Sequence, residues 1–397
     1  MVEERGALRL VHQGWEHLRH ERPIAAWASW NQALRAEPHN SAAREALERL
    51  EGSEPLPRVA RGPFRFRGPG DASSRQAWDE VFRATDMQGV AEAAAAFHEI
   101  VEHAPGDANA RYNAGLCLAW QGENARAIAE FDGLVRLDHV DEAAREAAIE
   151  GWMFAEVLRQ GAGAEALADE FRCTLEIEWP EDNEGAEEWL GARATILPIA
   201  MTGGELSPEV EVLEWLDRRL PESSAVAHGK DLPVVLASVM ERGGVMRAVA
   251  PAVESIRRVE SKLRGWMGDG FVARDRVSST LPIHLMDLAA WRFRIPDDAT
   301  AEQHARWTRE AIEHYYMSTW ADQPRNGLAN GAEPLSPRAA AHLPGAEGVS
   351  ARVRLEAILR VREQLLRRPG SLQLHGGLTL DGVRPLFGLE PHATRRD

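Results

Sequence analysis

The sequence predicts an α+β protein, with a helical N-terminal third, a mixed domain built on a small antiparallel sheet, and a helical C-terminal region. Three observations lead there. A spacing of small and aromatic residues recurs before residue 141, short β-branched and alternating runs replace it from about Glu165, and helical periodicity returns after Ala252. At 397 residues, 44% of them hydrophobic, the chain is too long for one ordinary core and has ample apolar material for two or more.

The recurring spacing is alanine, three residues, an aromatic, two residues, an apolar residue, four residues, proline. The first copy is Ala26, Trp30, Ala33 and Pro38; the second is Ala93, Phe97, Ile100 and Pro105. The third is Ala127, Phe131 and Leu134, with His139 where proline would fall, and its alanine lies 34 residues after that of the second. Twelve residues before the alanine stand Gly14 and Gly115 in the first and third copies, and Val81 in the second. Trp27 and Trp30 read as packing between helices.

These residues resemble the tetratricopeptide repeat (TPR) over Ala7 to Asn40 and Ser74 to Asp141, about a quarter of the chain. The resemblance implies an N-terminal solenoid of about three helical pairs, and Glu142 to Gln160 reads as its capping helix. It departs from the family at Glu51 to Ser73, where Pro55, Pro57, Gly62, Pro63, Gly68, Pro69 and Gly70 exclude a continuous helix. The implied organisation is a first helical pair over residues 1–50, a linker over 51–73, and two contiguous repeats with their cap over 74–160. An α+β domain over 165–300 and a helical region over 301–397 follow.

In this family the first helix of each pair lines a groove. By register that face would carry Leu8, Val11, Trp15, Leu18, Trp78, Phe82, Tyr112, Leu116 and Trp120. These side chains are aromatic and aliphatic. The family's carboxylate-clamp set of Lys, Asn and Arg is not expected at such positions, so the implied ligand is a hydrophobic segment, such as an amphipathic helix of another protein. The alternative is that the protein's own linker or later domain fills the groove.

Beyond Glu165, strands are expected at Cys173 to Trp179, Thr195 to Met201, Val210 to Leu216 and Leu232 to Met240, with a hairpin turn at Gly243-Gly244. Helices are expected at Ala252 to Trp266, Pro282 to Trp291 and Thr300 to Trp320. Ser336-Pro337 reads as a helix start, and Leu355, Ile358, Leu359, Leu365 and Leu366 place a further helix over Ser350 to Arg368.

The net charge of −16 argues against a generic binder of nucleic acid or of anionic membranes. Forty-four of the 46 basic residues are arginine, the lysines being Lys230 and Lys262, which fits a bacterial chain of GC-rich coding. No apolar run approaches a bilayer span, so the expected location is the cytoplasm and no membrane partner is expected. Two cysteines, Cys117 and Cys173, exclude a disulfide scaffold.

An acidic stretch, Glu165 to Glu188, holds ten acids against Arg172; its patch residues are Glu176, Glu178, Glu181, Asp182, Glu184, Glu187 and Glu188. The late helix carries Arg352, Arg354, Arg360, Arg362, Arg367 and Arg368, so the two are expected to meet within the chain.

No local catalytic motif stands out: there is no nucleophile elbow, phosphate loop or dinucleotide fingerprint. Glu310 and His314 with His304, the His228-Gly-Lys230-Asp231 cluster, and His284 with Asp287 read as ordinary surface or packing residues. Cys173 reads as a buried structural thiol. No cofactor or metal is expected. The leading reading is a non-enzymatic adaptor or regulatory protein, part of a multiprotein complex, that captures a partner segment in its repeats and docks or acts through its second domain. The alternative is an enzyme with a dispersed site in the α+β domain, to which the repeats recruit a protein substrate.

Overall fold

The structure is a computed structural model. It describes residues 2–52, 61–62, 64–68, 90–137, 141–160, 170–179, 193–198, 212–242, 244–250, 252–281, 293–331, 333–366 and 380–389. The chain forms two compact units. The first comprises Met1–Ala168, Asp322–Arg362 and Phe387–Leu389, and the second comprises Asp169–Ala321, Glu363–Leu386 and Glu390–Asp397.

The first unit opens with α1 (Val2–Arg19), α2 (Pro23–Ala36) and α3 (Ser41–Glu51). Pro23 starts α2 where a missing amide hydrogen costs nothing, and Asn40 caps α3 by accepting from the Ala43 amide. After the linker come α4 (Val90–His103), α5 (Ala108–Trp120), α6 (Asn124–Val135) and α7 (Glu142–Gln160). Asp107 caps α5 through the Ala110 amide.

Two of the repeated positions acquire a shared physical meaning. A methyl group on Gly14 would lie 2.1 Å from Nε1 of Trp30, and one on Gly115 would lie 2.7 Å from Cε1 of Phe131. In each case an aromatic ring of the second helix presses on the bare backbone of the first. Both contacts lie well away from the connecting turn, so α1 with α2 and α5 with α6 are antiparallel pairs. Trp30 and Phe131 are fully buried, and the Trp30 indole donates to the Val11 carbonyl at 3.2 Å.

The same unit includes the hairpin of β7 (Arg325–Asn330) and β8 (Glu333–Leu335), then α10 (Pro337–His342) and most of α11 (Gly345–Leu366). Ser336 caps α10 by accepting from the Ala339 amide. The arginines of α11 are internal staples. Arg360 donates to both carboxylate oxygens of Glu146 at 2.6 and 2.5 Å and to Glu356 at 3.0 Å, and Arg354 reaches the Ala329 carbonyl at 2.7 Å.

The second unit is built on a six-stranded antiparallel sheet in the order β2-β3-β4-β5-β1-β6. Its strands are β1 (Glu170–Glu178), β2 (Ile196–Pro198), β3 (Val212–Leu216), β4 (Val235–Arg242), β5 (Val245–Ala250) and β6 (Ala273–Leu281). Gly244, at φ +73°, closes the β4–β5 hairpin. Leu175, Ile177, Val239, Met246 and Ala248 line one face and pack with Ile256, Val259 and Leu263 of α8 (Val253–Met267). Burial at Cys173, Leu175 and Ile177 alternates with exposure at Glu178 and partial exposure at Thr174 and Glu176, the period of a half-buried strand.

Helix α9 (Ala301–His314) is started by a Thr300–Gln303 capping box and runs into a π-helical turn over Tyr315–Thr319. Two buried ion pairs brace this unit, Arg294 with Glu214 at 2.9 Å and Arg384 with Glu363 at 3.0 Å.

Several expectations change. The strand β6 and the hairpin β7–β8 were not expected, and the helix expected over Thr300 to Trp320 gives way to the π turn at Tyr315. The expected helix Pro282 to Trp291 lies outside the described residues. Of the acidic stretch and the arginine helix, Glu176 pairs with Arg247, Glu178 with Arg274, and Arg360 with Glu146. Each finds an opposite charge on a neighbouring element of its own unit. Arg352 donates to the Leu343 carbonyl, and Arg362 is buried. Glu181, Asp182, Glu184, Glu187, Glu188, Arg367 and Arg368 lie outside the described residues.

Candidate functional site: a helical seat holding the chain's own strap

The linker segment Phe64–Gly68, which has no helix or strand hydrogen bonding, lies against α2, α4, α5 and α7 of the first unit. We call it the strap. Phe64 is buried between Trp27 of α2, at 5.1 Å between ring centroids, and Phe154 of α7, at 5.7 Å. Phe66 sits between Phe97 of α4, at 5.3 Å, and Trp120 of α5, at 5.1 Å. Trp27 and Trp120 also stack on each other at 6.0 Å. Before the strap, Gly62 holds φ +83° against the Trp27 indole, where a side chain would collide.

The backbone of the strap is held as specifically as its rings. The Arg67 amide donates to Oδ1 of Asn113 at 2.9 Å, and Nδ2 of Asn113 donates to the Arg67 carbonyl at 3.0 Å. One residue offers its N–H and C=O to the same side when its backbone is extended. A turn earlier on α5, Nδ2 of Asn109 donates to the Gly68 carbonyl at 2.9 Å. The Arg67 guanidinium lies 4.8 Å from the Tyr112 ring centroid and donates to Glu150 of α7 at 2.6 Å. The Tyr112 hydroxyl donates to the same carboxylate at 3.2 Å. Burial holds the Tyr112 hydroxyl well above its usual pKa, the neighbouring Glu150 charge adds to this, and the phenol stays a donor at any ordinary pH.

The residues expected to line a groove divide. Tyr112 and Trp120 meet the strap. Leu116 is fully buried, Val11 is buried with its carbonyl engaged by Trp30, and Trp15 packs on Trp30 at 5.0 Å with the Arg49 guanidinium over its outer face. Leu8 is exposed and Leu18 half-buried, while Trp78 and Phe82 lie outside the described residues. Trp27 packs between helices as expected, stacked on Trp120 of α5, and its ring is also a wall for Phe64. Sequence reasoning missed Asn109, Asn113 and Glu150. The one available signal was the alternation Phe64-Arg65-Phe66-Arg67 inside a stretch otherwise rich in proline and glycine.

Other clusters are less organised. A depression of about 680 Å³ in the second unit is lined by Arg193, Thr195, Trp215, Lys262 and Trp266, with no His, Asp or Cys among its described lining residues. Burial, and then Arg258 and Arg193, hold the Lys262 ammonium below its usual pKa. His228 lies 3.8 Å from Glu310, whose carboxylate accepts from the Gly229 amide. His304 is pushed down by burial, and His284 and Asp287 lie outside the described residues. Among the described residues no group of three His, Cys, Asp or Glu side chains could hold a metal, and no helix is long and apolar enough to cross a membrane. Cys117 and Cys173 are buried free thiols, and burial pushes the Cys117 pKa far up.

No family model, no curated protein and no solved structure matches this chain.

Proposed function

We propose that this protein is an interaction module whose first unit holds an extended segment of another protein, in a groove of the tetratricopeptide kind, while the second unit serves as a further docking or effector surface. The observation that carries this reading is the bidentate pairing of Asn113 with the backbone of Arg67. A side chain that reads main-chain N–H and C=O holds any extended segment, and the aromatic walls then choose among side chains. The antiparallel helix pairs with matched Gly–aromatic contacts support a repeat architecture for the seat. An extended occupant fits these groups better than an amphipathic helix, whose backbone is already hydrogen-bonded. The depression of the second unit, lined by tryptophan and cations, supports a docking role over an enzymatic one.

The test is to pan a random nonapeptide library over the full chain and over Asn113→Ala. Enrichment of a common motif on the wild type, lost on Asn113→Ala with unchanged circular dichroism, is the expected outcome. Equal enrichment on both would remove the groove from the account.

A further inference from the structure

We infer that the depression of the second unit is a binding site for a small organic anion, a carboxylate or phosphate group on a flat apolar body, with Lys262 and Arg193 taking the charge and Trp266 the body. This rests on the docking role proposed above for the second unit and gives that surface a ligand class.

The charge pattern of α8 points there first. Of its four cations, Arg257 is answered by Glu254 and Arg264 by Glu260, which also receives Arg276 of β6. Arg258 and Lys262, one turn apart, form no ion pair among the described residues. Like charges at that spacing repel each other. Arg193, which lines the depression with Lys262, adds a third cation. Partial burial, then Arg258 and Arg193, hold the Lys262 ammonium below its usual pKa, and Asp217 offsets this only in part. Oδ1 of Asp217 is already taken by the Val234 amide at 2.8 Å. In a chain of net charge −16, three cations gather at a hollow with no acid among its described lining residues. Such a local reversal of sign draws in an anion, while the acidic body around it repels a polyanion.

Shape supplies the rest of the ligand. About 680 Å³ is the scale of a small-molecule site. Trp215 is fully buried beneath Lys262, whose Nζ lies 5.5 Å from its ring centroid, so the ammonium is held at the floor rather than out in water. Thr195, a hydroxyl donor, lines the hollow as well. Trp266 is half-buried and braced by Trp179 at 5.5 Å, which makes it a fixed apolar wall for a flat group beside the bound charge. Gly265 completes the lining, and among the described residues nothing lies within 4 Å of a methyl added there. A larger side chain at that position therefore fills the hollow without displacing the helix.

The test uses the full chain and four probes: naphthalene carboxylate, naphthyl phosphate, the neutral naphthalene carboxamide and inorganic phosphate. Lys230 and Lys262 are the only lysines, so acetylation read by peptide mass reports the site directly, with Lys230 as internal control. At least one naphthyl anion at saturation should slow acetylation of Lys262 about fivefold or more and leave Lys230 unchanged. In calorimetry, Lys262→Met and Gly265→Leu should each weaken that anion at least about tenfold with unchanged circular dichroism, and the carboxamide should bind at least about tenfold more weakly than the carboxylate. The tighter of the two anions tells a carboxylate ligand from a phosphate.

Unchanged acetylation of Lys262 at the highest concentration of both anions, an outcome independent of whether any variant folds, overturns the inference. So does inorganic phosphate binding as tightly as naphthyl phosphate, or wild-type affinity in Gly265→Leu. A polyglutamate peptide separates the two levels. If it protects Lys262 and the naphthyl anions do not, the small anion falls and the docking surface stands; if none protects it, the docking role of the depression falls too.

Discussion

Replacing Gly14 with alanine tests the packing logic of the helix pairs. The new methyl would stand 2.1 Å from Nε1 and 2.5 Å from Cδ1 of Trp30, a fully buried ring whose N–H is engaged by the Val11 carbonyl. The indole must move, which costs about 1–3 kcal/mol in overpacking. Losing its buried hydrogen bond costs about 1–3 kcal/mol more. Alanine returns about 1 kcal/mol through its higher helix propensity. The net is a loss of about 1–5 kcal/mol, or roughly fivefold to over a thousandfold faster exchange at amides of α2 whose opening unseats Trp30. Gly6→Ala on the same helix is the control. Among the described residues nothing lies within 4 Å of its added methyl, so it should leave stability unchanged or raise it by up to about 1 kcal/mol. Hydrogen exchange by mass spectrometry resolves the two. Wild-type exchange in Gly14→Ala, or an equal loss in Gly6→Ala, would refute the idea that the bare glycine is there for the ring.

Three further outcomes follow from buried and half-buried groups. Arg294→Met leaves Glu214 buried without its cation, which should cost about 3–5 kcal/mol at neutral pH in a chemical denaturation series. Burial already raises the Glu214 pKa above its ordinary 4.5 despite Arg294, so the folded state takes up a proton more readily than the unfolded one. The penalty of Arg294→Met should therefore shrink as the pH falls through that raised value, and a penalty that grows on acidification would contradict the assignment. A water-soluble maleimide at pH 8 should leave Cys117 and Cys173 unlabelled in the folded chain and label both in guanidinium, since both thiols are buried. Arg360→Met should lower stability by about 3–5 kcal/mol, and Arg360→Lys should recover only part of it, because an ammonium cannot span both oxygens of Glu146; full recovery by lysine in a thermal melt would show that the fork is unimportant.

What was legible in the sequence was local. The Gly–aromatic spacing of Gly14 with Trp30 and Gly115 with Phe131 was visible because both partners lie within one helical pair. The capping serine before Pro337 and the glycine turn at Gly244 are single-residue signals of the same kind. The strand β6 escaped because Arg274, Asp275 and Arg276 interrupt its alternation. Its two arginines are answered by Glu178 of β1 and Glu260 of α8, partners on other elements that the strand's own pattern does not reveal. At the seat, Tyr112 and Trp120 stood out as aromatics at a helical spacing. Asn109 and Asn113 gave no signal of their own, since their meaning depends on a segment more than forty residues earlier. Linker composition flagged a break in the array but not which of its residues dock.

The strap also sets how the first unit comes apart. Helices that touch only their neighbours along the chain can fray from one end, each pair opening on its own terms. Here five consecutive residues tie α2, α4, α5 and α7 together through Trp27, Phe97, Trp120, Tyr112 and Phe154, so no single pair can open without stripping the strap from the rest. Such non-local ties slow folding and make unfolding collective. The helical region should therefore melt as one cooperative block, and releasing the strap should divide that block into separately unfolding pairs.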